Sequence, residues 1–188
     1  MVAKRAQDRR ATYADVEALP ANMVGEIIRG VLYAHPRPAS PHAAAASALG
    51  EELGPPFKRG RGGPGGWVIL DEPELHLAED VLVPDLAGWR RERMPEMPHA
   101  PAFELSPDWV CEVLSPSTAA IDRAEKIPIY ARERVAHVWF VDPLEKFLEV
   151  LRLDGATYRL IATMHGDAKV HAEPFDAIEL DLAVLWAR

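Results

Sequence analysis

The sequence has a single cysteine, Cys111, among its 188 residues. One cysteine excludes a disulfide within the chain and is typical of proteins kept in a reducing compartment. No apolar run approaches the roughly 20 residues that a membrane-spanning helix needs. The first 20 residues lack the apolar core of a secretory signal peptide. Together these absences predict a cytoplasmic protein without a membrane partner.

An excess of positive charge is also missing, since 29 acidic residues face 21 lysines and arginines and the net charge is −8. Strong nonspecific affinity for nucleic acids normally comes from cationic surfaces, so the composition leaves DNA binding open without favouring it. Local basic clusters do occur, and solvated surface charge is their simpler interpretation. They are Lys4-Arg5, Arg9-Arg10, Lys58-Arg59-Arg61 and Arg90-Arg91-Arg93.

The order of predicted elements indicates an α/β fold. A strand over 109–114, a helix over 117–132 and a strand over 137–141 give a strand–helix–strand unit. Turn signals at Arg29-Gly30 and Asp154-Gly155 predict hairpins, which add antiparallel strands. We therefore expect a mixed central sheet flanked by helices.

The length suits one domain spanning 1–188, with 1–11 expected as a disordered N-terminal tail. Ser40, as N-cap, and Pro41 predict the start of a further helix. An apolar stretch over 81–89 predicts one more strand.

Two acids stand alone in apolar strands: Asp85 after Pro84, and Glu112 within 109–114. A buried charge is costly unless it is paired or binds a metal. If the two strands are neighbours, both carboxylates and the carbonyl of Val113 would offer the oxygen ligands that Mg²⁺ prefers. Taken singly, either acid could equally be a strand-end group that reaches solvent.

On the following helix, Asp122, Lys126 and Tyr130 recur at i, i+4 and i+8 and so share one face. Lys126 could orient or deprotonate a water, or neutralise charge that develops on a phosphate. Its simpler interpretation is a solvated lysine or a partner of Asp122, a pairing that contributes only about 0.2–0.5 kcal/mol. Tyr130 is more typical of core packing than of catalysis.

Four segments resemble one known family: GEIIRGVLYAHPRPASPH (25–42), LVPDLAGW (82–89), PDWVCEVLSPSTAAIDRAEKIPIYA (107–131) and VWFVDP (138–143). They are similar to the Uma2 family of restriction-endonuclease-like proteins, within the PD-(D/E)XK nuclease superfamily. The resemblance implies a restriction-endonuclease-like core and metal-dependent hydrolysis of DNA phosphodiester bonds, with Mg²⁺ or Mn²⁺ and no organic cofactor. It implies Asp85 and Glu112 as metal ligands.

One position departs from the superfamily pattern. Its lysine, two residues after the second acid, is replaced here by Leu114, and the resemblance implies that Lys126 on the next helix takes its role. Glu26 matches an acid often found near such sites, as an extra ligand or a water-holding group. His42 could contact a substrate phosphate at a helix N-terminus, or be a capping histidine. By analogy with nucleases that cut duplex DNA, we expect a homodimer.

A different class stays open. The missing lysine at position 114 and the acidic composition also suit a non-catalytic nucleic-acid- or protein-binding module on the same fold. The position of Lys126 discriminates between a nuclease and a binding module. A catalytic lysine should lie within roughly 4–6 Å of the carboxylates of Asp85 and Glu112. A third class, a hydrolase of small phosphoesters, would have a closed pocket too narrow for duplex DNA.

Overall fold

The computed structural model describes residues 3–5, 9–37 and 39–186. Its α-helices are α1 (Tyr13–Glu17), α2 (Ser40–Leu53), α3 (Ala119–Ile121) and α4 (Ile127–Arg132). Its strands are β1 (Ala3–Arg5), β2 (Met23–Ile28), β3 (Val31–Pro36), β4 (Trp67–Asp71), β5 (Leu75–Leu77), β6 (Asp80–Leu82), β7 (Leu86–Arg90), β8 (Trp109–Val113), β9 (His137–Asp142), β10 (Phe147–Asp154), β11 (Thr157–His165), β12 (Lys169–Val170) and β13 (Leu180–Asp181). A π-helical turn, Gly54–Lys58, follows α2, and another, Asp122–Lys126, joins α3 to α4.

The central sheet has six strands in the order β11-β10-β9-β8-β7-β4. Strands β8 and β9 are parallel, and α3 and α4 lie on the connection between them. The other neighbouring pairs are antiparallel. The predicted mixed sheet, with its strand–helix–strand unit, is confirmed.

A second sheet has the order β1-β3-β2-β6-β5. The predicted hairpin turn at its β2–β3 connection uses two left-handed residues, Arg29 (φ 52°) and Gly30 (φ 78°). Ala3–Arg5 pair with β3 although 1–11 is predicted to be disordered. Residues 1, 2 and 6–8 of that tail lie outside the described residues.

The prediction of one strand over 81–89 is wrong, because the chain changes sheets there. Strand β6 belongs to the five-stranded sheet and β7 to the six-stranded sheet. Between them, Pro84 has no N–H to donate to a ladder. The backbone carbonyl of the next residue, Asp85, accepts a hydrogen bond from the N–H of Glu72 at 2.9 Å. This crossing places Asp85 immediately before β7.

The single helix predicted over 117–132 is also corrected. It begins at Ala119 and contains the π-helical turn at Asp122–Lys126. Pro128 explains the wider turn, since a proline ring in a regular α-helix clashes with the carbonyl four residues before it, here that of Ala124. Helix α2 begins close to its predicted start, although its N-cap is Ala39 and not Ser40.

Apolar side chains cover both faces of the six-stranded sheet. One face packs against α2 and the C-terminal segment, residues 172–186. The tryptophans Trp67, Trp109 and Trp139 lie there, in contact with Phe175 of that segment. On the other face, α4 packs with residues of the five-stranded sheet. By the alternation of β8, Glu112 lies on this second face, where it is buried and needs polar partners. Over the described residues, no helix combines the length and apolarity required to cross a membrane.

Candidate active site

Asp85, immediately before β7, and Glu112, in β8, lie on neighbouring antiparallel segments, which is the condition on which the sequence analysis based a shared site. The register of β7 and β8 pairs Leu86 with Cys111. Continuing it by one residue sets Asp85 opposite Glu112, and cross-strand partners lie on the same side of a sheet. The N–H of Val113 donates to Asp85 Oδ2 at 2.7 Å. The carboxylate thereby accepts a bond from β8 where the regular ladder has ended.

Glu112 is buried, and its carboxylate accepts hydrogen bonds from two side chains. Tyr130 Oη donates to its Oε1 at 2.5 Å, and Lys126 Nζ donates to its Oε2 at 3.3 Å. Tyr130 therefore combines its predicted core position with a polar contact. Cys111, next along β8, points to the opposite face and joins the tryptophan core.

Lys126 points inward from the π-helical turn. Its Nζ lies 2.9 Å from Glu26 Oε1, 3.1 Å from Asp122 Oδ1 and 3.3 Å from Glu112 Oε2. These four residues, which we call the Lys126 cluster, are each only 2–3% exposed. Lys126 is thus no solvated lysine. Its contact with Glu112 satisfies the distance criterion for one of the two carboxylates, and its three carboxylate partners among the described residues do not include Asp85. The predicted pairing with Asp122 is one of three.

Glu26 enters the cluster from β2, in the other sheet. Its Oε1 also accepts the N–H of Val83 at 2.9 Å, and His35 Nε2 lies 3.7 Å from its Oε2. His35 is a partner that the sequence analysis missed. The alternation of side chains along β3 could have indicated this partner. Tyr33 pairs with Glu26, and His35, two residues further along the strand, lies on the same face as Tyr33.

The pKa values of the three acids in the Lys126 cluster shift in different directions. Burial raises the pKa of Glu112 well above its usual value, although Lys126 opposes the shift. Burial likewise raises the pKa of Asp122. The pKa of Glu26 instead falls to about 2, because Lys126, His35 and the N–H of Val83 together outweigh its burial. Three carboxylates overcome the effect of burial on Lys126 and hold its pKa well above the usual range.

His42 contacts Asp85 and thereby has a role that neither sequence interpretation named. Its Nε2 lies 2.5 Å from Asp85 Oδ1. His42 and Asp85 also line a cavity of about 310 Å³, together with His35 and the turn at 115–118 that precedes α3. Asp85 therefore faces a space that a small group can enter.

Another buried acid, Asp80, also escaped the sequence analysis. It accepts the N–H of Arg29 at 2.6 Å and Arg132 Nη1 at 2.9 Å. Arg132 further donates to the carbonyl of Leu77. These bonds join α4 to the hairpin of the five-stranded sheet, so we interpret Asp80 as structural.

The donor set is compatible with a hard cation held largely by water. In the described part of the chain, no group of three or more His, Cys, Asp or Glu side chains is arranged to hold a metal. Mg²⁺, however, is usually bound through one or two carboxylates and several waters. Each carboxylate oxygen of Asp85 and Glu112 has two lone pairs, so the hydrogen bonds described above leave acceptor capacity.

Comparison with known proteins concerns the family and the fold of the chain. The family model of Uma2, described as "Putative restriction endonuclease", matches residues 12–184. A crystal structure of "a putative nuclease belonging to DUF820" from Anabaena variabilis is similar in fold, with a TM-score of 0.71 and 22% identity over 94% of this chain and 97% of that one. No curated protein matches. Because the family match spans nearly the whole sequence, the chain belongs to the Uma2 family.

Proposed function

We propose that this protein is a metal-dependent endonuclease that hydrolyses DNA phosphodiester bonds. One observation carries the proposal: Lys126 Nζ lies 3.3 Å from Glu112, although the usual lysine position beside that acid holds Leu114. Lys126 thus reaches one of the two proposed metal-binding carboxylates from a different element, in a chain of the Uma2 family.

In this proposal Asp85 and Glu112 hold the cation, with the carbonyl of Val113 as a third oxygen. When bound, Mg²⁺ or Mn²⁺ would polarise the phosphate and lower the pKa of an attacking water. His42 and the N–H of Val113 orient Asp85 through its two oxygens. Tyr130 and Lys126 do the same for Glu112. Glu26 stays a candidate for holding water, and Asp122 supports Lys126.

The protonation state of Lys126 argues against one of its suggested roles, the deprotonation of a water. Three carboxylates keep its pKa well above the usual range, so it stays an ammonium at neutral pH. An ammonium has no lone pair with which to deprotonate water. We therefore assign Lys126 to neutralising negative charge around the carboxylates and the developing phosphate, an electrostatic role.

Plasmid nicking tests the proposal. Supercoiled DNA is incubated with the parent protein in Mg²⁺, in Mn²⁺ and in EDTA, beside Asp85→Asn, Glu112→Gln and Lys126→Ala. Glu79→Gln is the matched control, because that acid is on the surface. We expect metal-dependent nicking by the parent and the control, and its loss in all three site variants. Nicking that survives in EDTA or in Glu112→Gln would contradict the proposal.

The burial of the Lys126 cluster favours a second candidate, a non-catalytic nucleic-acid- or protein-binding module. Glu112 and Lys126 are only 2% and 3% exposed, so the cluster can also be a structural core of charges. A folded parent that binds DNA in EDTA and never nicks it with either metal would favour this candidate.

We include a homodimer in the nuclease proposal. Light scattering in solution tests this oligomeric state.

A further inference from the structure

The cavity beside Asp85 has walls of mixed chemistry. Its volume of about 310 Å³ is at the lower end of the range for small-molecule sites. His42 and Asp85 form one polar side, while Val24 and Val83 are among its apolar walls. A phosphate group alone makes no favourable contact with apolar walls. A nucleoside has both an apolar ring face and polar edges, so it matches walls of both kinds.

Hydroxyl groups line another side of the cavity. Ser115 Oγ lies 3.0 Å from both Ser117 Oγ and Thr118 Oγ1. Ser115 Oγ also accepts the N–H of Thr118 at 3.3 Å, and the Thr118 hydroxyl is hydrogen-bonded to Asp122. Because these bonds use the hydroxyl protons, the group keeps lone pairs for a ligand that donates. The polar edge of a nucleobase is such a ligand, since it carries donors and acceptors side by side.

We infer that this cavity binds one unpaired nucleotide of a DNA substrate, next to the phosphate that faces Asp85. The inference rests on the proposed function, because it takes Asp85 as part of the site that meets DNA. A base stacked inside a duplex cannot enter a concave pocket, so it must be turned out of the helix or belong to a single strand. The substrate class is therefore DNA with an unpaired base.

Fluorescence anisotropy in EDTA tests the inference without cleavage. Three DNAs of one sequence are compared: a fully paired duplex, a duplex with one central mismatch and a single strand. We expect the parent to bind at least one of the last two about tenfold more tightly than the paired duplex, because unpairing is then already complete or easier. Preference for both indicates a base turned out of a duplex, and preference for the single strand alone indicates a single-stranded substrate.

Ser117→Leu is the variant that fills the cavity, since leucine removes the hydroxyl and adds bulk without an aromatic ring that could stack on a base. Ser117 is exposed, so folding should be intact, as circular dichroism can check. Ala120→Leu, exposed on α3 and outside the cavity lining, is its control. Ser117→Leu should lose the preference, and Ala120→Leu should keep it.

Three results would overturn the inference: equal affinity for the three DNAs, no binding to any of them, or an unchanged preference in Ser117→Leu. Plasmid nicking keeps the two proposals apart. Metal-dependent nicking without a preference for unpaired DNA removes this inference and leaves the nuclease. A preference lost in Ser117→Leu, in a protein that never nicks, removes the nuclease and leaves the nucleotide site.

Discussion

The ammonium of Lys126 lies 2.9 Å from the carboxylate of Glu26, which reaches it from the five-stranded sheet. The same ammonium contacts Glu112 in the six-stranded sheet. One side chain on a π-helical turn therefore connects the two sheets at the candidate site. Stability and activity are consequently expected to depend on the same residue.

Lys126→Met should destabilise the protein by about 3–5 kcal/mol at pH 7, because it leaves buried carboxylates without their cation. Methionine retains most of the apolar stem, so the loss reports on charge. The deficit should shrink as the pH is lowered, since the carboxylates then take up protons. Urea unfolding at several pH values measures both effects.

The matched control for this variant is Lys169→Met, whose lysine pairs with Glu179 on the surface. Exposed pairs contribute little, so its stability should stay within about 1 kcal/mol of the parent. A Lys126→Met protein as stable as this control at pH 7 would contradict the account of the Lys126 cluster.

Glu26→Gln should lower the free energy of unfolding at neutral pH. The pKa of Glu26 is lowered from 4.5 to about 2 in the folded protein. A lowered pKa contributes stability that is present above pH 4.5 and lost as the pH falls toward 2. The difference between parent and variant should therefore be largest above pH 4.5 and shrink below it, as acid-dependent urea unfolding can show.

Glu112→Gln should have the opposite pH dependence. Burial raises the pKa of Glu112 well above 4.5, so this acid stabilises the fold below that pH and loses the contribution as the pH rises. The stability of Glu112→Gln relative to the parent should therefore improve from pH 4.5 upward. Parallel slopes for Glu26→Gln and Glu112→Gln would show that the two carboxylates do not differ as described.

Much of this arrangement follows from local pattern. Asp85 and Glu112 each stand out as a charge in an apolar run, and an alternating strand puts Cys111 on the other face. The spacing of Asp122, Lys126 and Tyr130 predicts a shared helix face, and the structure places Lys126 and Tyr130 on the same carboxylate.

The remainder depends on contacts between distant segments. The change of sheet at Pro84 could not be read from 81–89, because both strands are apolar and hydrophobicity does not say which sheet a strand joins. The residues around Glu26 in the sequence do not indicate that it pairs with Lys126. The same holds for Asp80, whose partner Arg132 lies on α4. Such pairings arise from topology, which a single sequence specifies only weakly.

The nuclease proposal requires that Asp85 and Glu112 share one divalent cation. Electron paramagnetic resonance of free Mn²⁺, titrated with the parent, Asp85→Asn, Glu112→Gln and the surface control Glu79→Gln, measures this shared site. The parent and the control should bind Mn²⁺, and either site substitution should weaken binding about tenfold or more. Equal Mn²⁺ binding by all four folded proteins would contradict it.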